Sequence, residues 1–234
     1  MLASYLHNFI FIKTQKTGGT TVETVFASFC GPEDIVAPLG WSDEMARGNG
    51  KPICRNFAAT PELEKEMIAA MIRHDGSNRG ARKILNFYAH MEAAEIKSKL
   101  PPDFWAKALK FTIERHPYEK AVSKAFFKLG PHRSMDQFPH TLEKILDKEN
   151  YGSIRYYSIE NELVVDDIIK LENLRSDLQR IAEKIGVKLP DELPRMKSVT
   201  RRDPRPAREI LTQEQKDRIY RACKAEFDLL GYEP

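Results

Sequence analysis

"FIFIKTQKTGGTTVETVFASF", residues 9–29, decides how the rest of the chain is read. Residues Phe9 to Lys13 open it with a short apolar run that suits a buried strand. From about Thr20 to Phe29, the apolar positions Val22, Val25, Phe26 and Phe29 fall on one side of a helix. Between strand and helix lie Lys16, Thr17, Gly18 and Gly19. A strand feeding a glycine turn into a helix aims backbone N–H groups and the positive end of the helix dipole at one spot. Gly18 and Gly19 admit an anion close to the backbone, Thr20 and Thr21 add hydroxyls, and Lys16 adds a mobile charge. The same letters also fit a plain turn with a solvated lysine. The ordinary nucleotide loop GxxxxGK[ST] is absent, because Lys16 precedes the glycines.

Working outward, strand and helix patterns alternate. Residues 30–60 carry many glycines and prolines and read as a long irregular segment, a kind often functional or mobile. Thr60-Pro61 opens a helix with Leu63, Met67 and Met71 on one face. "ILNFYAH" (84–90) reads as a second strand, followed by a helix that stops before Pro101. "ALKFTIERHP" (108–117) reads as a third strand, and Pro117 begins a helix burying Val122, Ala125, Phe126 and Leu129. A helix from Pro139 to Lys148 follows, then a strand and helix start in "VVDDIIKLENL" (164–174), with Gly186 as the helix stop. Residues 193–211 form a basic, proline-rich loop, and a last helix starts at Thr212 with a Gln215 capping box. The expectation is an α/β fold: one P-loop-like domain over 1–234, with a central, mostly parallel sheet flanked by helices.

Composition sets the outer bounds. The 234 residues are 41% hydrophobic and 30% charged, with a net charge of +3. That supports a real core and one domain, and is too little charge to identify a polyanion binder. Cys30, Cys54 and Cys223 form no CxxC pair, which favours a reducing compartment. With no leader pattern and no long apolar span, the expectation is a soluble, cytoplasmic protein. The histidines are scattered, so no metal site is expected.

A second stretch, "ERHPYEKAVSKAFF" (114–127), places Arg115 at a strand end and Ser123 eight residues on, in the next helix. A guanidinium fork suits a phosphate. Taken in order, "KTQKTGGTT" and "ERHPYEKAVSKAFF" resemble the motifs of the sulfotransferases that use 3′-phosphoadenosine 5′-phosphosulfate. The resemblance is closest to the carbohydrate O-sulfotransferase branch, whose motifs read like PKTGGTS and VRNPYDRLVS. It implies that Lys16, Thr17, Gly18, Gly19, Thr20 and Thr21 line the 5′-phosphosulfate site, and that Arg115 and Ser123 hold the 3′-phosphate. It further implies a catalytic histidine near His90, Lys16 stabilising the leaving phosphate, and Arg201 and Arg202 closing over the 3′-phosphate. Residues 30–83 then become an acceptor-side insertion, and the acceptor a hydroxyl, with a sugar or glycan as first choice.

Gln15, His116 and Lys120 depart from that branch, which commonly has proline, asparagine and arginine there. His90 also fits a helix cap, and Glu92 and Glu95 are alternative bases. Trp41, Trp105, Tyr156 and Tyr157 are open to either an acceptor wall or packing. Two other functions stay open: an ATP-dependent small-molecule kinase with an atypical loop, and a nonenzymatic nucleotide- or RNA-binding module using the 197–208 basic segment.

Overall fold

The computed structural model describes residues 1–73, 85–148, 151–194 and 201–234. Its central sheet contains β1 (Leu2–Ser4), β2 (Phe9–Ile12), β3 (Ile35–Val36), β4 (Leu109–Glu114) and β7 (Asp167–Lys170), in the order β3-β1-β2-β4-β7. A separate hairpin pairs β5 (Ser158–Ile159) with β6 (Glu162–Leu163). β2, β4 and β7 are parallel neighbours, and only β1 runs against the other four strands of the central sheet. The α/β fold with a mostly parallel sheet flanked by helices is therefore present.

The helices are α1 (Gly19–Ala27), α2 (Trp41–Arg47), α3 (Pro61–Arg73), α4 (Ala93–Lys99), α5 (Pro102–Lys107) and α6 (Pro117–Leu129). After these come α7 (Phe138–Leu146), α8 (Leu174–Lys184), α9 (Ala207–Ile210), α10 (Gln213–Ala222) and α11 (Lys224–Leu230).

Alternation along β2 covers both sheet faces. Phe9 and Phe11 point to the face holding Val22, Val25 and Phe26 of α1 and Leu178 and Ile181 of α8. Phe26 meets the Phe111 ring at 5.1 Å and the Phe9 ring at 5.7 Å. Ile10 and Ile12 enter the opposite core, with Met67 and Met71 of α3 and Ile96 of α4. A third core joins α6, α7, α10 and α11 through Phe126, Phe138, Ile219 and Phe227. With β2 and β4 clamped between packed helices, the loops at their C-terminal ends are held side by side.

Three expectations change. "ILNFYAH" is not a strand over its described part: Leu85 makes an isolated bridge to Ala58, and Asn86 and Phe87 donate backbone N–H bonds to the Phe57 carbonyl. His90 has φ 60°, a left-handed conformation outside the strand region; Ile84 falls outside the described residues.

The final helix is two helices, α10 and α11, divided at Cys223 (φ −116°), although Ile219, Cys223 and Phe227 share one core as expected. Finally, residues 30–60 are built into the fold. β3 joins the sheet, the buried Asp34 carboxylate accepts N–H bonds from Tyr5, Leu6 and Gly31, and the buried Glu44 carboxylate accepts them from Leu39, Ile53 and Cys54. Residues 74–83 of the expected insertion, and 195–200 of the basic loop, lie outside the described residues.

Candidate functional site

The turn after β2 is shaped by its backbone. Lys16 (φ 62°) and Gly18 (φ 84°) both adopt left-handed conformations, and Gly18 caps α1 with its carbonyl accepting from Thr21 N–H at 3.0 Å. A Cβ on Gly18 would sit 2.7 Å from Leu171 Cδ1, and one on Gly19 2.8 Å from Lys13 Cγ. Packing thus favours glycine at both positions, and at Gly18 the left-handed φ does so as well. Thr17 is buried, and its hydroxyl lies 2.8 Å from that of Thr14, which in turn donates to the Ile113 carbonyl. Thr17 therefore staples the turn to β4 and does not line the cavity.

Beneath the turn lies a charge pair. Lys13 is buried, donating to the Glu23 carboxylate at 2.5 Å and to Thr20 Oγ1 at 3.2 Å, and the Met1 amino group reaches Glu23 at 2.6 Å. Burial alone would raise the Glu23 pKa, yet the two cations hold it well below the usual carboxylate range.

The second motif follows β4. Arg115 leaves the strand end and pairs with Glu119 at 2.9 Å. Arg201 pairs with the same carboxylate, so Arg115 and Arg201 converge on Glu119. Arg202 faces elsewhere, towards the Gly130 and Pro131 carbonyls at the far end of α6. Lys120 is buried, bonded to Glu114 at 3.1 Å and to Ser153 at 2.9 Å, and 3.9 Å from Glu226. It takes no part in the cavity. His116 caps α6, its ring accepting from Tyr118 N–H at 3.3 Å.

Between the two motifs lies a cavity of about 520 Å³. Lys16, Gly18, Gly19, Thr20, Thr21, His90, Arg115 and Ser123, eight of the eleven residues named from sequence, line it. The outliers are Thr17, Arg201 and Arg202. Lys13, Lys124, Lys128, Phe127 and Leu171 also line it and were not anticipated. Phe127 is detectable only after folding: its ring is half exposed and lies 4.0 Å beneath the Lys16 ammonium. Among the described lining residues, five are cations and none is a carboxylate. Such a wall attracts anions and has no acidic group with which to hold a metal.

His90 sits on left-handed backbone at the cavity edge, with Nδ1 3.3 Å from the Lys13 carbonyl oxygen. A carbonyl only accepts, so Nδ1 carries the hydrogen and Nε2 keeps its lone pair. Burial, then the nearby Lys13 charge, lower its pKa to about 4, and the ring is neutral near pH 7. A neutral imidazole with an open Nε2 can receive a proton.

The alternative bases are engaged elsewhere. Glu92 pairs with Arg155 at 3.4 Å, and Glu95 accepts from Tyr88 and lies 3.3 Å from Lys99. Trp41, Trp105 and Tyr157 pack in the core under the sheet. Tyr156 alone of the four aromatics reaches towards the site: its hydroxyl accepts from Gln15 at 2.7 Å and its ring lies 6.5 Å from His90.

No known protein family, curated protein or solved structure matches the chain. Among the described residues, no cluster of His, Cys, Asp and Glu could hold a metal, and no helix is long and apolar enough to cross a membrane.

Proposed function

We propose that the chain is a group-transfer enzyme of P-loop-like build that works on an anionic nucleotide, and specifically a sulfotransferase using 3′-phosphoadenosine 5′-phosphosulfate. One observation carries the reading. Two motifs about a hundred residues apart in sequence put Lys16, the Gly18–Thr21 turn, His90, Arg115 and Ser123 around one carboxylate-free cavity. A polyanionic nucleotide suits that wall. The open N–H groups at the start of α1 and the Thr20 and Thr21 hydroxyls suit its 5′ end, and Arg115 with Ser123 suits its 3′-phosphate.

The bound nucleotide supplies the activated sulfuryl group. His90 Nε2 takes the proton from an acceptor hydroxyl as its oxygen bonds to sulfur and the sulfur–oxygen bond to the phosphate breaks. Lys16 meets the negative charge that develops on the departing phosphate. A carbohydrate hydroxyl is the preferred acceptor, on the sequence resemblance alone. The kinase reading is weaker because the lining offers no carboxylate for Mg²⁺.

Calorimetry in metal-free buffer tests the proposal. Adenosine 3′,5′-bisphosphate is expected to bind well ahead of ATP with magnesium; a preference for magnesium-ATP, or no binding of the bisphosphate, overturns it.

A further inference from the structure

α6 carries two adjacent phenylalanines with opposite surroundings. Phe126 is buried in the helical core, its ring 4.4 Å from that of Phe138. Phe127 is 51% exposed and turned onto the cavity wall, one helical turn beyond Ser123. Exposure alone says little, because single apolar side chains are ordinary on protein surfaces. What lies on the ring is informative: the Lys16 ammonium sits 4.0 Å from its centroid. Lys16 leaves the turn from left-handed backbone, φ 62°, and its side chain crosses the cavity to reach α6.

The strength of this contact suits a charge that changes partners. Lys13 and Lys120 are fixed by buried carboxylates at 2.5 and 3.1 Å, and separating either pair would leave a buried charge uncompensated. The face of a phenylalanine attracts a cation through its quadrupole alone. At an exposed site that biases the ammonium's position only about two- to fivefold. A phosphate oxygen offers a charge-assisted hydrogen bond, which is stronger than the ring contact. The described cavity lining carries no carboxylate, so an entering phosphate meets no fixed anion there.

We propose that Phe127 is a positioning residue for Lys16: its ring seats the ammonium on the cavity wall, and a bound phosphate group draws the ammonium off it. The seat does not depend on which nucleotide binds. Only its bearing on catalysis rests on the sulfotransferase reading, in which a releasable Lys16 can follow the charge that develops on the departing phosphate. By linkage, a contact present only without phosphate opposes phosphate binding by its own strength, so removing the ring should tighten that binding.

Inorganic pyrophosphate is the probe, since it has no base to stack on the ring. It is titrated by calorimetry in magnesium-free buffer into wild type, Phe127→Leu, Phe127→Tyr, Lys16→Met and Phe127→Leu/Lys16→Met, and the Lys16 Hε resonance is followed by NMR in the first three. Because the ring is half exposed, the two single substitutions of Phe127 should leave the melting temperature unchanged. The ring current is expected to hold the Lys16 Hε protons upfield in wild type and Phe127→Tyr. The upfield shift should be lost in Phe127→Leu, and lost in wild type when pyrophosphate binds. Phe127→Leu should bind pyrophosphate about two- to fivefold tighter than wild type, and Phe127→Tyr equally well. In the Lys16→Met background the leucine substitution should change nothing. An unshifted resonance in wild type, a shift that survives pyrophosphate, or no pyrophosphate binding overturns the proposal. So does unchanged or weaker binding by Phe127→Leu, or the same gain without Lys16. Adenosine 3′,5′-bisphosphate is titrated into the same preparations. The expected pyrophosphate results without bisphosphate binding leave the seat standing and remove the donor reading; bisphosphate binding with no ring-current shift on Lys16 removes the seat alone.

Discussion

Lys13 and Lys16 share one turn, Lys120 and Lys124 share one helix, and in each pair the two lysines have opposite fates. Lys13 and Lys120 are buried against Glu23 and Glu114, each with a hydroxyl partner as well. Lys16 and Lys124 line the cavity. Each motif thus contains one lysine held in a buried ion pair, of which Lys13 also borders the cavity, and one lysine on the cavity wall. Motif membership alone does not assign function. The neighbouring carboxylate does: Lys13 and Lys120 are each neutralised by a carboxylate buried within reach, whereas Lys16 and Lys124 border a cavity whose described lining carries no carboxylate.

Stability should separate the pairs most sharply. Lys13→Met and Lys120→Met each leave a buried carboxylate without its cation and are expected to cost about 3–5 kcal/mol in urea denaturation. Lys16→Met and Lys124→Met should stay within about 0.5 kcal/mol of wild type, as substitutions of cavity-facing groups do. Equal losses in all four variants would break the comparison.

Activity should reverse the order. Under the sulfuryl-transfer reading, Lys16→Ala is expected to lower kcat by about 10²–10³-fold with an unchanged melting temperature, because it removes charge stabilisation needed only in the transition state. A raised KM at unchanged kcat would make Lys16 a binding group only.

The turn between Lys13 and α1 gives a smaller effect. Gly18→Ala combines left-handed backbone with a Cβ 2.7 Å from Leu171 Cδ1, and about 1–3 kcal/mol of destabilisation is expected. Leu171→Ala in the same chain should relieve the steric part and leave the backbone part. No rescue would mean that strain in φ accounts for the whole loss.

The mildest test is a titration. His90 in the folded protein has a pKa of about 4, below its ordinary 6.5, so the unfolded chain takes up this proton first as pH falls. Its contribution to stability is therefore intact above about pH 6.5 and is lost progressively towards pH 4. Histidine NMR of the folded chain should place its midpoint near 4; a midpoint near 6.5 would mean that neither burial nor Lys13 acts on the ring.

Much of this was legible in the residues, and the gaps have physical causes. The β2–α1 turn was readable because strand period, glycines and helix period switch within a few residues. The Thr212–Gln215 capping box was readable because it is local chemistry, and both of its hydrogen bonds are present. β1 and β3 were missed because strands of three and two residues are too short to show a period. "ILNFYAH" misled because Phe87 serves a core contact while its backbone bonds Phe57 instead of a sheet neighbour. Thr17 and Lys120 sit inside the motifs, but their partners Thr14 and Glu114 turn them away from the cavity. Lys124 and Lys128 carry no local signal that separates them from ordinary helix-surface charges. Only the packing of α7 beside α6 makes them part of a wall.

The account's central claim is that the two motifs hold the two ends of one nucleotide. Calorimetry of adenosine 3′,5′-bisphosphate and adenosine 5′-monophosphate against wild type and Arg115→Ala tests it directly. Arg115→Ala is predicted to weaken the bisphosphate about 10–100-fold, the loss of one charge-assisted phosphate contact, and to leave the monophosphate unchanged. Equal weakening of both ligands, or of neither, would contradict it.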